Sequence, residues 1–314
     1  MLRIGLLTTA NINRHLLATR GESDAYDFVA VGSRDAHRAA DYAREWGLQR
    51  AHGSYEELLA DADVDAVYVA LPNALHHDWT LRALAAGKHV LCEKPYSRRP
   101  EQVEEAFDAA AAAGLVLTEG YMWRHNPLTR KLVELLPAIG ALQGVRASFC
   151  FRLTRGEDVR LVPELGGGAL LDVGCYCVSA ARLLAGGEPD RVYGEAVLGP
   201  TGVDRLFTGV LRFGATTAEF TASFDADHRS LEAVGSDGTL SVADPWHSGG
   251  AELLHDGERV RVQEVSSYLC ELESFAAAVR GEAEPPLGRA DALGQARTLD
   301  ALLRSAESGA AVTI

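Results

Sequence analysis

Residues 1–121 alternate short apolar runs with amphipathic stretches, and this alternation restricts the fold more than any other feature of the chain. Runs at 2–7, 28–31, 64–70, 89–92 and 115–118 read as strands. Helical spacing follows the second over 36–46, the third over 79–86, and the fourth from Pro100 to Gly114. The run 64–70 is β-branched and apolar apart from Asp65, as suits a strand covered on both faces. Leu71-Pro72-Asn73 and Glu93-Lys94-Pro95 break two of the strands. Pro100 suits a first helical turn, where its missing N–H is not needed. Strand–helix alternation of this kind predicts a parallel, doubly wound sheet.

After Tyr121 the pattern changes. Helical spacing at 126–136 and a strand at 145–153 lead to Gly166-Gly167-Gly168 and a helical run over 169–184. Strand-like runs at 191–198, 205–213, 216–224, 230–234 and 239–242 then follow without helices between them. Consecutive strands pair antiparallel, so this part reads as α+β with a large open sheet. Helices are expected at 267–280 and 290–308. With about 150 residues per domain as a guide, the expected division is 1–121 and 122–314, the final helix (290–308) packing back on the first domain.

Apolar residues make up 47% of the 314, an ordinary globular share. Thirty basic against 44 acidic residues give a net charge of −14, which repels nucleic acid and anionic lipid. The first apolar run is too short for a signal peptide, and no window reads as a membrane span, so a cytoplasmic protein is expected. Five cysteines at 92, 150, 175, 177 and 270 lack framework spacing and read as reduced thiols.

Gly5-Leu6-Leu7-Thr8-Thr9-Ala10 joins the first strand to a helix, the context of a dinucleotide fingerprint. Gly5 and Ala10 fit its first and third positions, and Leu7 stands at the second. The candidate cofactor loop is thus Gly5, Leu7, Thr8, Thr9, Ala10, Asn11 and Ile12. The second strand ends at Gly32-Ser33-Arg34, with Arg38 four residues further on, where an NAD site carries an acid. A hydroxyl and guanidinium groups suit a 2′-phosphate, which predicts NADP over NAD.

Lys94 is at the carboxyl end of a parallel strand, where open α/β sheets bind ligands. Asp172 and Tyr176, four apart on an expected helix, share one face. An ammonium, a carboxylate and a phenol together suit alcohol–carbonyl chemistry, in which hydride leaves a carbinol carbon while a base removes the hydroxyl proton. Trp123 and Arg124 could line a sugar site, an indole facing apolar CH groups, or could instead pack a domain junction. Neither His76-His77 nor Cys175-x-Cys177 has zinc spacing, and no metal is expected.

Glu93-Lys94-Pro95, Leu71-Pro72-Asn73 with His76, Gly87-Lys88-His89-Val90, Tyr121-Met122-Trp123-Arg124 and the segment from Gly166 to Tyr176 resemble the Gfo/Idh/MocA oxidoreductase family. The last two segments look most like its subgroup of NADP-dependent D-xylose dehydrogenases, dihydrodiol dehydrogenases and glucose–fructose oxidoreductase. The resemblance implies a Rossmann domain followed by an α+β domain with a mostly antiparallel open sheet. It adds Leu71, Pro72, Asn73, His76, Glu93 and Lys94 to the cofactor contacts. Lys94, Asp172 and Tyr176 become the catalytic set, with Tyr176 exchanging the proton and Trp123, Arg124, Asp172 and Tyr176 facing the substrate. Thr8 departs from the glycine usual in the subgroup. The implied activity is NADP-dependent hydride transfer at a sugar hydroxyl, as on D-xylose. The alternatives are a trans-dihydrodiol dehydrogenase, a keto-sugar reductase and a non-catalytic NADP- and sugar-sensing regulator. A homodimer or homotetramer through the open sheet is expected.

Overall fold

Each of the first five strands is followed by a helix before the chain returns to the same sheet. In the computed structural model, which describes residues 1–247 and 249–314, these are β1 (Leu2–Leu6), α1 (Asn13–Leu17), β2 (Tyr26–Gly32), α2 (Ala36–Trp46) and β3 (Arg50–His52). Then come α3 (Tyr55–Ala60), β4 (Ala66–Val69), α4 (His76–Ala85), β5 (His89–Glu93), α5 (Pro100–Ala113) and β6 (Leu117–Gly120). Local chemistry fixes the boundaries. Asp35 caps α2 by accepting the amides of His37 and Arg38 at 2.9 and 3.1 Å, and Ser54 caps α3 through Glu57 N–H at 3.1 Å. Among the described residues the sheet has six parallel strands in the order β3-β2-β1-β4-β5-β6. This is the doubly wound dinucleotide order, with a crevice at the carboxyl ends of β1 and β4 where strand order reverses. Every residue of β4 is buried, each large aliphatic side chain contributing about 1.5–3 kcal/mol.

The rest of the chain supplies α6 (Pro127–Leu135), β7 (Leu142–Cys150), α7 (Cys175–Ala185), β8 (Arg191–Leu198), β9 (Asp204–Phe213) and β10 (Thr216–Ser223). These lead on to β11 (His228–Gly235), β12 (Thr239–Ala243), β13 (Glu252–His255), β14 (Glu258–Val260), α8 (Ser267–Val279), α9 (Arg289–Ser308) and β15 (Val312–Thr313). Among the described residues a nine-stranded sheet runs β14-β13-β12-β11-β7-β10-β9-β8-β15. It is antiparallel throughout except for the parallel pair β7–β10. Phe207, Leu211, Ala218 and Phe220 point to its buried face, where α7 lies against β7 and β10. The opposite face presents Tyr193, Val210 and the Arg146–Glu219 and Arg146–Glu232 ion pairs.

The chain forms two compact units, Met1–Met122 with Tyr268–Leu293, and Trp123–Ser267 with Gly294–Ile314. The segment that returns to the first unit is therefore α8, where Tyr268 stacks on His15 with centroids 5.3 Å apart. Most of α9 belongs to the second unit, within the expected 122–314 part of the chain. Gln295 and Ser305 give the reason. Gln295 donates to Cys175 O at 2.8 Å and accepts from Arg182 at 3.0 Å, while Ser305 accepts Gly194 N–H at 3.0 Å.

Two departures follow from packing. The run expected to be one helix over 169–184 begins as a π-helical turn, Leu170–Gly174, before α7. And Pro163–Ala185 is long and apolar enough to cross a membrane, although no such window was expected; 83% of its most apolar stretch is buried inside the protein, as in a core helix.

Candidate functional site

In the first unit the expected cofactor residues gather at the carboxyl edge of the parallel sheet. The loop starts one turn later than the glycine fingerprint predicts. Gly5 lies within β1, where a Cβ would meet Leu58 and Val64 side chains at 3.1 Å, so its lack of a side chain serves strand–helix packing. Leu7 is wholly buried and its amide continues the sheet, donating to Tyr68 O at 3.0 Å. The open loop begins at Thr8, whose carbonyl is latched by Asn13 Nδ2 at 2.7 Å. Among the described residues, the amides of Thr8, Thr9, Ala10, Asn11 and Ile12 donate to no protein group. Successive unpaired N–H groups in a partly exposed turn form a cradle for phosphate oxygens.

At the end of β2, Ser33 is buried and its hydroxyl accepts Asp35 N–H at 3.3 Å. The acid at position 35 is committed to capping α2, and the two amide bonds, the first being that from Arg38, hold its carboxyl below the usual range. Arg34 and Arg38 are exposed, and neither pairs with an acid among the described residues. Two uncompensated guanidinium groups fit a ribose 2′-phosphate. The donor set therefore fits NADP.

The Glu93-Lys94-Pro95 turn is braced at several points. Glu93 accepts the Tyr68 hydroxyl on Oε1 and the Lys94 amide at 3.2 Å on Oε2. Burial, then the Glu93 charge, push the Tyr68 phenol far up, so it stays a donor. Glu119 accepts Tyr96 N–H at 2.6 Å, and the Lys94–Pro95 peptide is cis. His76 joins this turn to Leu71-Pro72-Asn73, its ring nitrogens lying 2.9 Å from Pro95 O and 2.8 Å from Leu71 O. Only 1% exposed, His76 is a brace behind the loop, with no ring nitrogen left for a cofactor. Burial lowers its pKa against the pull of the two carbonyls. Pro72, Asn73 and Lys94 are partly exposed, while Leu71 is buried. Sequence reading missed Glu271 of α8, which is 1% exposed with Oε1 unpartnered among the described residues. Burial, then nearby Glu93, push its carboxyl well up.

The second unit brings Trp123, Arg124, Asp172 and Tyr176 into one neighbourhood. Trp123 is 1% exposed and lies edge-on to Trp246 at 5.4 Å, so its indole is core and does not line a mouth. Trp246 also contacts Tyr176 at 5.9 Å and stacks on Phe149 at 5.8 Å, and Phe149 meets the Tyr176 ring at 5.2 Å. Arg124 donates to Ser179 Oγ, one turn beyond Tyr176, at 3.1 Å. His125 is 3% exposed, and burial, with Arg130 and Arg124 adding to it, pushes its pKa down to about 4.

Asp172 lies in the π turn and receives Arg160 Nε on Oδ2 at 2.6 Å. The glycine run makes this possible. A Cβ on Gly167 would overlap the Arg160 carbonyl, and Gly168, at φ +120°, has the Asp204 carboxylate where a Cβ would go. Gly168 N–H donates to Arg160 O at 3.0 Å, and Asp204 Oδ2 accepts Leu170 N–H at 2.6 Å, capping the turn. Burial raises the Asp204 pKa to about 6 against the opposing amide bonds.

Residues 2–121 match the family model described as Gfo/Idh/MocA oxidoreductase, NAD-binding Rossmann fold, and residues 130–241 match the Gfo/Idh/MocA C-terminal domain. The chain belongs to the Gfo/Idh/MocA oxidoreductase family. It is 40% identical to D-xylose 1-dehydrogenase (NADP(+)) 2 of Haloferax volcanii over 99% of both chains. It is 33% identical to trans-1,2-dihydrobenzene-1,2-diol dehydrogenase of Xenopus tropicalis over 81% of this chain and 79% of that one. Among solved structures it superposes on KijD10, a 3-ketoreductase from Actinomadura kijaniata in complex with NADP and TDP-benzene. That match has a TM-score of 0.89, 30% identity and 97% coverage of each chain. These relatives are oxidoreductases of sugars and diols, and the first two bear the names of the subgroup the sequence motifs resemble.

Proposed function

We propose that this protein is an NADP-dependent dehydrogenase of aldoses such as D-xylose, acting at the anomeric hydroxyl. The likeness to the Haloferax volcanii enzyme over 99% of both chains carries the reading. The amides of residues 8–12 take the pyrophosphate, and Ser33, Arg34 and Arg38 the 2′-phosphate, while Pro72, Asn73 and Lys94 complete the cofactor contacts. When bound, NADP supplies the hydride acceptor for oxidation and the hydride donor for reduction. Lys94 donates a hydrogen bond to the reacting oxygen and stabilises its developing charge. Tyr176 takes the hydroxyl proton in oxidation and returns it in reduction. Asp172 accepts a hydrogen bond from a substrate hydroxyl and so orients the sugar. The open face of the nine-stranded sheet joins copies of the chain into a homodimer or homotetramer.

The test is NADPH formation by the purified protein across aldoses and trans-diols, with NAD⁺ in parallel. Turnover of one aldose with NADP⁺ is expected. Turnover of trans-diols alone would replace the substrate class. Likeness to the KijD10 3-ketoreductase favours a second reading, reduction of a keto-sugar. Silence on every aldose and diol, with NADPH consumed by a keto-sugar, would establish that one in its place.

A further inference from the structure

Arg160 belongs to no motif that the sequence marks, yet the strap it sits on is built around the Asp172 carboxylate. Its guanidinium is fixed on three sides. Nε donates to Asp172 Oδ2 at 2.6 Å, and Nη1 donates to Asp158 Oδ1 and Oδ2 at 3.2 and 3.4 Å. The Phe151 ring lies 5.7 Å from the guanidinium carbon. The backbone is fixed as well. Asp158 accepts Arg160 N–H at 3.0 Å, and Arg160 O accepts Gly168 N–H at 3.0 Å, four residues before Asp172. Gly167 leaves the strap room, since any Cβ there would overlap the Arg160 carbonyl. A planar fork held between two carboxylates is pre-organised, so little rotamer freedom remains to be lost when substrate arrives.

We infer that Arg160 is a positioning residue for the reaction, fixing the orientation and the charge of Asp172 through the Asp158–Arg160–Asp172 bridge. This rests on the proposed role of Asp172 toward substrate. Asp172 stands in a π turn, a rare element frequent at functional sites, and the bridge fixes where its carboxylate points. The mutual attraction of the two groups is consistent with this, the Asp172 charge being the main cause that raises the Arg160 pKa. Asp172 thus stays an acceptor throughout turnover, and the moving proton belongs to another group.

The experiment compares Arg160→Ala, Arg160→Lys, Asp172→Asn and the double variant R160A/D172N in steady-state turnover of the aldose found active. R160A keeps the backbone bond to Gly168 and is expected to lose at least tenfold in kcat, with NADPH affinity within twofold of the parent. R160K should recover part of the loss. Millimolar guanidinium chloride, far below denaturing concentration, should restore R160A severalfold where equal sodium chloride does not, because the half-exposed site can readmit the missing group. The double variant should be no slower than D172N. Parental kcat in R160A beside a crippled D172N would overturn the inference and leave the catalytic reading standing. Additive losses in the double variant without guanidinium rescue would also overturn it, reducing Arg160 to a structural residue. Parental turnover in D172N would instead remove the role of Asp172 itself.

Discussion

Asp172 and Tyr176 are asymmetric in the chemistry they can perform. A carboxylate bonded to Arg160 at 2.6 Å is stabilised in its charged form, so in the proposed reaction it serves as an acceptor and leaves proton exchange to the phenol. Tyr176→Phe is therefore expected to lower kcat by about 100- to 10,000-fold, the usual worth of general acid–base catalysis. NADPH binding, followed by nicotinamide fluorescence, should stay within about twofold; unchanged kcat would end the assignment. The proposed cofactor preference rests on other residues. Among the described residues Arg34 and Arg38 have no acid partner, whereas Asp35 caps α2. Arg34→Ala should weaken NADP⁺ binding by about tenfold or more, the worth of a charge-assisted hydrogen bond, and leave NAD⁺ unchanged. Equal loss for both cofactors in calorimetry would remove the phosphate role. These side chains are legible because strand ends and helix spacing place them. Arg160 is not, since one arginine in a polar loop reads like any solvated charge until the fold sets it beside Asp172. His76 is misread for the opposite reason, its position in a familiar motif hiding that both ring nitrogens face backbone carbonyls.

Elements are recovered where local signals agree. Residues 36–46 carry helical spacing, an Asp cap and a following Gly47, and α2 has those bounds. β3 is three residues, none buried, paired with β2, and so short a strand leaves no periodic trace. The hairpin β13–β14 was not expected either, although its Asp256-Gly257 pair, both at positive φ, is a two-residue turn signal. β15 pairs with β8, more than 110 residues away, and no local pattern reports that. The π turn escapes because its apolar residues Leu170, Leu171 and Val173 fit the 3.6 and the wider spacing alike. Its cap is testable through pH. Asp204 is 7% exposed with a pKa raised to about 6, so between about pH 4 and 6 the native protein binds a proton that the unfolded chain has released. Stability must then fall as pH rises through that window and level off above it, by at most about 3 kcal/mol. Asp204→Asn keeps an acceptor for Leu170 N–H and cannot ionise. The stability difference between parent and variant, from urea unfolding, should move in the variant's favour from pH 4.5 to 7. A pH-independent difference would show that Asp204 is ionised throughout.

At the scale of the molecule the outer face of the nine-stranded sheet is the feature still to be accounted for. Arg191, Tyr193, Glu195, Thr208, Val210, Arg212, Thr217, Glu219, Arg146 and Glu232 alternate outward in register across five adjacent strands. The three arginines and three glutamates among them balance, on a chain whose net charge is −14. A neutral face is where two such acidic molecules can meet with least repulsion. Tyr193 and Val210, opposite each other on β8 and β9, remain 38% and 39% exposed, an apolar centre within a charged rim. The face carries equal numbers of both charges, which suits a two-fold contact between copies. Light scattering after size exclusion should give a mass that is two or four times 33.6 kDa. Val210→Asp sets a second carboxylate opposite Glu219 on the neighbouring strand and removes the apolar centre. It should therefore shift the mass toward the single chain while thermal unfolding moves little, since the position is already half open to water in one copy. A parental mass of 33.6 kDa, or an assembly indifferent to this substitution, would place the contact elsewhere.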